Sequence, residues 1–265
     1  MEIPNVFRQS YPVQCALAIC CILLASCASV GPEEAGPAAP VSVSWVGLGG
    51  KAQPAVPWEV RNLPGKKPTS YHHVRHSGRD AIQSDASGSA SLLRQKVRVE
   101  PADLGRLAFS WNIDGLIEGA DLTQREADDS PVRIVLAFDG DRSTFSPKNA
   151  MLSELMYTLS GEHMPYATLM YVWGNSGTPD RVIINTRTDR VRKIVLESGP
   201  ARQKSWVNYE RDIRADYETA FGEPPGALVG VAIMTDTDNS RQIARAWYGP
   251  ITLVKPATSP SIPQR

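Results

Sequence analysis

The chain has little cysteine, no net charge and no long hydrophobic run. All four cysteines lie in the first 27 of its 265 residues, so a domain folded from the remainder has no disulfide and depends on its hydrophobic core. The 28 Lys and Arg residues equal the 28 Asp and Glu residues in number, whereas a general nucleic-acid binder carries a clear excess of Lys and Arg. We therefore expect no nucleic-acid partner.

Several short catalytic motifs are also absent from the sequence. It contains no Gly-x-Ser-x-Gly elbow, no His-Glu-x-x-His zinc motif, no phosphate-binding Gly-x-x-x-x-Gly-Lys loop and no Cys-x-x-Cys pair. The enzyme classes that depend on these motifs are thereby disfavoured. An enzyme of another kind stays open, but the sequence favours a protein without catalytic activity.

The longest apolar run predicts export. Residues 15–25 are too few to span a bilayer as a helix, which takes about 20 residues, but they match the hydrophobic part of a secretory signal peptide. Leu24-Ala25-Ser26-Cys27 resembles the lipobox of bacterial lipoproteins, in which the cysteine is lipidated after cleavage. We predict a signal peptide over residues 1–26 and a membrane anchor on Cys27. A single-pass anchor and a buried core helix are the alternatives.

The rest of the chain divides into a tether, a domain and a tail. By resemblance to lipoprotein sorting in Gram-negative bacteria, Ala28 after the cysteine implies an outer-membrane lipoprotein that faces the periplasm. Proline and glycine are frequent over residues 27–57, which predicts a flexible tether behind the lipidated cysteine. Residues 255–265 contain three prolines and are predicted to be a disordered tail. The folded domain is predicted over residues 58–254.

Alternating side chains predict β-strands in this domain. Over Arg106–Ile113 every second side chain is large and apolar, the pattern of a strand with one buried face. About ten segments have strand character, and Ile134–Phe138 and Leu228–Met234 are apolar throughout, so they should be central. The predicted fold is all-β: a two-sheet antiparallel sandwich of the jelly-roll type with two short helical insertions.

Two segments have a helical period. The first begins with Pro147 after a capping Ser146 and ends at Gly161. Its apolar stripe consists of Met151, Leu152, Leu155, Met156 and Leu159. The second begins at Asp212 and ends at Gly222. Two helices cannot supply the crossovers of a large parallel sheet, which favours the antiparallel sandwich.

Two groups of polar residues are candidate sites. Asp236, Asp238 and Asn239 follow an apolar strand and bring up to three oxygen ligands together, for which calcium is the favoured ion; Asp236 and Asp238 are the predicted metal ligands. The alternative is a turn built on Asp and Asn side chains. Arg133 follows Asp128 and Asp129 closely, and an ion pair between them would either hold a polar ligand or close a loop onto the sheet.

Aromatic and histidine residues form two further candidates. Tyr171 and Trp173 share one face of a strand, and exposed rings of this kind can stack on sugars; the alternative is that they fill the space between the sheets. His72, His73 and His76 are of a metal-ligating type, but on a strand His73 points away from the other two. A solvated edge strand is therefore predicted for the histidines.

Four motifs occur in order along the chain. They are Asp128-Asp129-Ser130-Pro131-Val132-Arg133, Tyr171-Val172-Trp173, Asp216-Tyr217 with Phe221-Gly222, and Thr235-Asp236-Thr237-Asp238-Asn239. The series resembles a bacterial family of exported proteins known only as a domain of unknown function, and this resemblance implies no activity. The half of the domain from Trp58 to Arg133 also resembles, in pattern, the galactose-binding-like jelly rolls of carbohydrate-binding modules.

Three functions are consistent with the sequence. The first is a lipid-anchored periplasmic β-sandwich that binds a glycan or another polar envelope ligand without catalysis. Its predicted ligand-binding residues are Arg133, Tyr171, Trp173, Asp236, Asp238 and Asn239. The second is an envelope polysaccharide hydrolase that uses carboxylates distant in sequence, and the third is a structural or assembly lipoprotein with a protein partner. Two carboxylates in one cleft would favour the enzyme, and a broad apolar patch would favour the assembly protein.

Overall fold

The computed structural model describes residues 58–254, which form 13 strands and two helices. The strands are β1 (Glu59–Asn62), β2 (Ser70–His76), β3 (Arg79–Ser87), β4 (Ser91–Val99), β5 (Arg106–Ile113), β6 (Ser130–Phe138), β7 (Ala167–Gly174), β8 (Val182–Ile184), β9 (Val191–Ser198), β10 (Val207–Asp212), β11 (Leu228–Asp236), β12 (Ile243–Tyr248) and β13 (Thr252–Val254). The helices are α1 (Pro147–Ser160) and α2 (Ile213–Phe221).

The signal peptide, Cys27, the tether and the tail lie outside these residues and stay predictions. Among the residues described, no helix is long and apolar enough to cross a bilayer.

The strands form two sheets that stack as a sandwich. The larger sheet has the order β1-β4-β11-β6-β7-β9-β8, and the smaller has the order β10-β5-β12-β3-β2, with β13 also paired to β5. The predicted fold class is confirmed, and so is the central position of β6 and β11, which pair with each other. One pair departs from the antiparallel pattern: β9 runs parallel to β7, since β8 lies between them in the chain and pairs with the free edge of β9.

The main core fills the space between the two sheets. Inward-facing residues of β5, such as Phe109 and Trp111, meet inward-facing residues of β7, and the Phe109 ring stacks on Tyr171 at a centroid distance of 5.6 Å. The apolar set predicted for β5 is buried and the bounds of the strand match the prediction, but Ser110 and Asn112 on the opposite face are buried as well. Outward-facing residues of the larger sheet form a second surface, which α1 partly covers.

Helix α1 begins and ends where the sequence predicts but does not pack as its stripe implies. The Ser146 side chain accepts a hydrogen bond from the Asn149 N–H, and Gly161 takes the left-handed conformation (φ 72°) that glycine adopts without strain. Only Asn149 and Ser153 of the helix are buried. Leu152 and Met156 line a cleft, and the remaining apolar side chains face outward. The most exposed are Met151, Leu155, Tyr157 and Leu159.

Helix α2 packs into the core as expected for an amphipathic helix. Asp212 caps its first turn through the Ala215 N–H, and Gly222 ends it in the left-handed conformation (φ 70°). Tyr217 is fully buried and meets Phe138 of the larger sheet edge to face, at a centroid distance of 4.7 Å. The helix therefore closes the sandwich beside β9 and β10.

The histidine segment forms an edge strand. It is β2, at the end of the smaller sheet, and His72 and His73 are exposed on it. His76 is half-buried because its ring stacks on Trp247 at 3.8 Å. The predicted solvated edge strand is confirmed, and the three side chains do not converge on one point.

Candidate functional site

The outer surface of the larger sheet carries a cleft of about 490 Å³, which we call the outer-face cleft. Its floor is the outer face of the larger sheet, where β6, β7 and β11 lie side by side. Helix α1 forms its roof through Leu152 and Met156. The floor residues are Val135, Ala137, Thr168, Met170, Gly230, Ala232 and Met234, and Thr168 is the polar one at its edge. The centre of the cleft is thus apolar, and its charged residues lie at the two ends, which we call the Arg133 end and the Glu162 end.

Arg133 is the centre of one end. Its side chain is only 4% exposed, and Nη2 lies 3.2 Å from Asp128 Oδ1 and 3.2 Å from Asp236 Oδ2. The same nitrogen donates to the Asp128 carbonyl oxygen at 2.8 Å. The prediction that Arg133 pairs with the Asp128-Asp129 motif is confirmed for Asp128. The pair is not a two-nitrogen fork, because Nη2 alone makes these contacts.

Asp129 closes the loop that follows β11. Its Oδ1 and Oδ2 accept hydrogen bonds from the backbone N–H groups of Asn239 (3.2 Å) and Ser240 (2.7 Å). Asp236 Oδ1 accepts one from the Asp238 N–H at 3.3 Å, which is a turn of the Asp and Asn type. The turn interpretation of this segment is therefore confirmed, and the metal interpretation stays a prediction. The turn also places Asp236, Asp238 and Asn239 on the cleft.

Lys193 completes the charge pairing beneath this end. Its side chain is 1% exposed, and Nζ donates to Asp128 Oδ2 at 2.6 Å and to the Leu122 carbonyl oxygen at 2.8 Å. Burial and the neighbouring Arg133 lower the pKa of Lys193 to about 8. For Asp128, burial raises the pKa, but the two cations outweigh burial and hold it below its usual value. Asp128 is thus kept ionised.

Asp236 differs from Asp128 in its protonation. Burial raises the pKa of Asp236 to about 7, with the charges of Asp129 and Asp128 acting in the same direction and Arg133 opposing them. One strand end and one loop therefore hold carboxyls of opposite character, one ionised and one close to half-protonated at neutral pH. Such a pair of carboxyls often occurs at functional sites.

Three carboxylates at this end form a possible metal-ligand set. Oxygens of Asp129, Asp236 and Asp238 lie within 4.8 Å of one another, which adds Asp129 to the predicted pair. These hard oxygens are of the kind that calcium takes. Each already has a nitrogen partner, however: Asp129 has two backbone N–H groups, Asp236 has Arg133 and Asp238 has Lys66. A calcium ion bound here would be repelled by the positive charges of Arg133 and Lys66. Calcium binding by these three carboxylates stays a prediction.

The Glu162 end of the cleft carries a smaller ion-pair network. Glu162 accepts from Arg94 Nη1 at 2.7 Å and from Lys96 Nζ at 3.1 Å, and Arg61 lies 3.6 Å away. The Arg94 hydrogen bond leads the interactions that lower the pKa of Glu162 to about 2. Arg61 also donates to the Ser160 carbonyl oxygen at 2.6 Å, which ties the end of α1 to β1.

The two predicted sugar-stacking rings are not on this surface. Tyr171 and Trp173 are both 0% exposed and face the smaller sheet, so neither can stack on a ligand from solvent. The Tyr171 hydroxyl donates to Asp216 Oδ2 at 2.7 Å, and the Trp173 Nε1–H donates to the Gly199 carbonyl oxygen at 3.0 Å. Their assignment to ligand binding is wrong, because odd-numbered residues of β7 point into the sandwich.

The structure brings together the other four predicted residues and adds several more. Arg133, Asp236, Asp238 and Asn239 all line the outer-face cleft. Sequence reasoning missed Lys193 and Met170. A signal for Lys193 was present, since a lysine within the predicted strand Val191–Leu196 must find a partner when the strand is buried. No comparable signal marks Met170, whose position depends on which face of β7 turns outward.

Comparison with known proteins identifies the family. The sequence profile of the family described as "Protein of unknown function (DUF3047)" matches residues 56–252. The chain belongs to this family. The resemblance drawn from the four ordered motifs is thereby confirmed, and the outer-face cleft lies within the DUF3047 domain. No curated protein matches the chain.

Solved structures similar to the DUF3047 domain are β-proteins with low sequence identity. A family 11 carbohydrate-binding module of the cellulase Lic26A-Cel5E from Clostridium thermocellum is 10% identical, with 77% of this chain and 90% of that chain covered and a TM-score of 0.36. TmCBM61, solved with β-1,4-galactotriose, is 14% identical, with coverages of 75% and 88% and a TM-score of 0.33. The xyloglucanase domain of NopAA from Sinorhizobium fredii is 9% identical, with coverages of 75% and 98% and a TM-score of 0.38.

Proposed function

We propose that this protein is a non-catalytic, lipid-anchored binding protein of the bacterial envelope whose outer-face cleft holds the ligand. The observation that carries the proposal is the convergence of Arg133 with the segment that holds Asp236, Asp238 and Asn239, which lies far from Arg133 in sequence, on one cleft of about 490 Å³. That volume is within the range of small-molecule sites, about 300 to 1,000 Å³. An apolar centre with polar groups at its ends is also typical of such sites.

A glycan is one candidate ligand for this cleft. Asn185, Asn239 and Thr186 lie around its Arg133 end and offer the amide and hydroxyl groups that sugar hydroxyls bind. Glycan binding by this chain is proposed only from these amide and hydroxyl groups, and not from the likeness to the carbohydrate-binding modules named above.

The test is a thermal-shift screen of the full chain carrying Cys27→Ser, against a panel of envelope glycans, calcium and EDTA. We expect a ligand that raises the Tm of this protein, and loss of that shift in Asp238→Ala. Asp85→Ala is the matched control, since Asp85 pairs with Arg245 at 2.5 Å on the smaller sheet, away from the cleft. A shift that survives in Asp238→Ala but is lost in Asp85→Ala would contradict the proposed site.

A hydrolase is the second candidate, favoured by one observation. Two carboxyls at one end of the cleft have pKa values displaced in opposite directions, upward for Asp236 and downward for Asp128. A pair of this kind can act as proton donor and base. Release of reducing ends from envelope polysaccharide by the unmodified chain, abolished by Asp236→Asn, would establish the hydrolase and replace the non-catalytic proposal.

The membrane anchor is a separate part of the proposal. It is supported by the lipobox at Leu24-Ala25-Ser26-Cys27 and by the absence of any later cysteine. Metabolic labelling with a fatty acid is expected to label the chain, and Cys27→Ser is expected to remove the label. Cys21→Ser is the control, since it lies in the predicted signal peptide and should leave labelling unchanged. Labelling that persists in Cys27→Ser would contradict the anchor.

A further inference from the structure

We propose that the ligand of the outer-face cleft is an amphiphile: a flexible apolar chain lies between the sheet and α1, and a neutral, oxygen-rich head group binds at Arg133. This inference rests on the proposed function and names its ligand class. It follows from the wall of the cleft, the free donors of Arg133, the local charge and the loose packing of α1.

The wall of the cleft suits a flexible chain. Four of the six methionines of the sequence line it, and they come from the roof, the floor and the segment between α1 and β7. These are Met156, Met164, Met170 and Met234. Thioether side chains are unbranched and adapt to the shape of an apolar partner. An apolar chain would remove both itself and these side chains from water.

The wall does not suit a bare sugar equally well. Among the described residues, no Trp, Tyr or Phe side chain lines the cleft, and His163 supplies its one aromatic ring. Sugar rings are usually held between flat aromatic faces and hydrogen-bonding groups, but the middle of this floor has neither. The floor residues Val135, Ala137 and Ala232 offer no polar side-chain atom at all. A sugar can therefore bind at an end of the cleft, but not along its length.

Arg133 offers hydrogen-bond donors to a head group. Its residue is 3% exposed, and its buried Nε has no hydrogen-bond partner among the described residues. Nη1 donates to the Met170 sulfur at 3.9 Å, and a thioether sulfur is a weak acceptor. A buried donor without a partner is unfavourable, so an oxygen-bearing group that reaches the guanidinium gains a hydrogen bond that residues 58–254 do not supply to Nε.

The charge around Arg133 favours a neutral head group. Asp128 and Asp236 both contact Nη2, and Asp128 is also paired with Lys193. Carboxyl groups therefore already occupy Nη2, while the hydrogen-bonding capacity of the guanidinium is not exhausted. A carboxylate head would meet the two nearby acids, whereas hydroxyl or carbonyl oxygens would accept from Arg133 without that repulsion.

The packing of α1 allows a chain to enter. The helix is fixed near its start by Asn149, which donates to Asp189 at 2.7 Å and accepts from the Thr188 hydroxyl at 2.8 Å. Its other end is fixed by the hydrogen bond from Arg61 to the Ser160 carbonyl oxygen. Between these points it buries one further side chain, Ser153, and no apolar one. A helix with so little buried apolar surface can move at low cost.

The test compares three compounds that separate chain from head. The full chain carrying Cys27→Ser is cleared of amphiphiles on hydrophobic beads and titrated calorimetrically with dodecyl maltoside below its micelle concentration, with maltose and with laurate. We expect dodecyl maltoside to bind at least tenfold more tightly than maltose and more tightly than laurate. Met156→Lys places a charge over the floor and is expected to weaken dodecyl maltoside binding at least tenfold.

Leu155→Lys is the matched control. It lies next to Met156 on the same helix but is 50% exposed and does not line the cleft, so it should leave the affinity unchanged. Melting curves of both variants check that they fold. Equal weakening by the two variants would show adventitious contact with the helix surface, and no weakening by either would show binding away from α1. Both outcomes would overturn the inference. Tighter binding of laurate would overturn the neutral head group.

The outcome also separates this inference from the proposed function. If maltose or another free glycan bound as tightly as dodecyl maltoside, with the binding lost in Asp238→Ala, the cleft would be a ligand site but not for an amphiphile. If none of the three compounds bound, the amphiphile would be overturned, while the glycan and metal screen would still decide the function of the cleft.

Discussion

The two faces of the larger sheet are formed by the same strands but differ in composition: the inner face packs in the core, and the outer face lines the cleft. On β6, Ile134 and Leu136 face the smaller sheet and are fully buried, while Arg133 and Val135 face outward to the cleft. On β7, Tyr171 faces inward and Met170 faces outward. The inner face thus collects large rings and branched aliphatic side chains, and the outer face collects methionine, small residues and ion pairs.

This difference indicates where binding chemistry can lie in a two-sheet sandwich. Rings on the inner face supply the packing that lets a domain without disulfides fold, so they are not available to a ligand. The outer face of the larger sheet has only two small buried clusters, and α1 buries no apolar side chain against it. A side chain on the outer face can therefore serve binding without loss of the core.

The test with the largest expected effect replaces one residue on each face of β7 with alanine, in separate variants. Trp173→Ala removes a fully buried ring and is expected to lower the free energy of unfolding by about 4 kcal/mol. Met170→Ala, on the outer face, should lower it by only about 1 kcal/mol because the side chain is half-buried. Urea denaturation monitored by circular dichroism measures both. Equal losses would mean that the two faces do not differ in their contribution to stability.

The second prediction concerns whether the Arg133 end of the cleft also contributes to the stability of the fold. Arg133→Met leaves Asp128 and Asp236 buried without the guanidinium and should cost about 3 kcal/mol of stability. Asp128 keeps its ion pair with Lys193, so Asp236 is the carboxyl that loses its cation. Adding Asp236→Asn removes that carboxylate, so the double variant should be more stable than Arg133→Met alone. A double variant that is less stable would show that Asp236 is held by contacts other than Arg133.

The smallest expected effect is the contribution of the Glu162 end of the cleft to the pH dependence of folding stability. The pKa of Glu162 is lowered from 4.5 to about 2 on folding, so its ionised form stabilises the fold above pH 4.5, and this stabilisation is lost as the pH falls towards 2. The side chain is 37% exposed, so solvent screening limits the effect of Glu162→Gln to about 0.5 kcal/mol at pH 7.

The measurement is urea denaturation of Glu162→Gln and the unmodified chain between pH 2 and pH 7. The difference between the two proteins should vanish at the acid end of this range. Glu126→Gln is the control, since Glu126 is 85% exposed and pairs only with its neighbour Arg125. A difference that grows on acidification would have the opposite sign from the one expected.

Much of the secondary structure could be predicted from the sequence, because strand periodicity and helix capping depend on residues that are close together in the chain. The period of two over β5 and the cap residues Ser146 and Gly161 act within a few residues of the chain, and both appear where predicted. The stripe on α1 followed the same logic but did not enter the core. Whether an apolar helix face is buried depends on the surface opposite it, which lies elsewhere in the chain.

The candidate site was predictable only in part, for a related reason. Arg133 and the Asp236–Asn239 segment were identified from residue type and from their place near strand ends. Their meeting at one cleft required β6 and β11 to pair, which places Met234 opposite Arg133. Lys193 reaches the same cluster through the parallel pairing of β9 with β7, and this pairing departs from the predicted antiparallel sandwich.

The sequence by itself determined the strand-rich sandwich, the limits of both helices, the family and the polar residues around Arg133. The tertiary structure alone decided which face of each strand turned inward, and so assigned Tyr171 and Trp173 to the core and Met170 to the cleft. The physical reason is that alternation shows which side chains share a face of a strand but not which face points into the core. Only the pairing of that strand with its neighbours, and the stacking of the second sheet, selects the face that is buried.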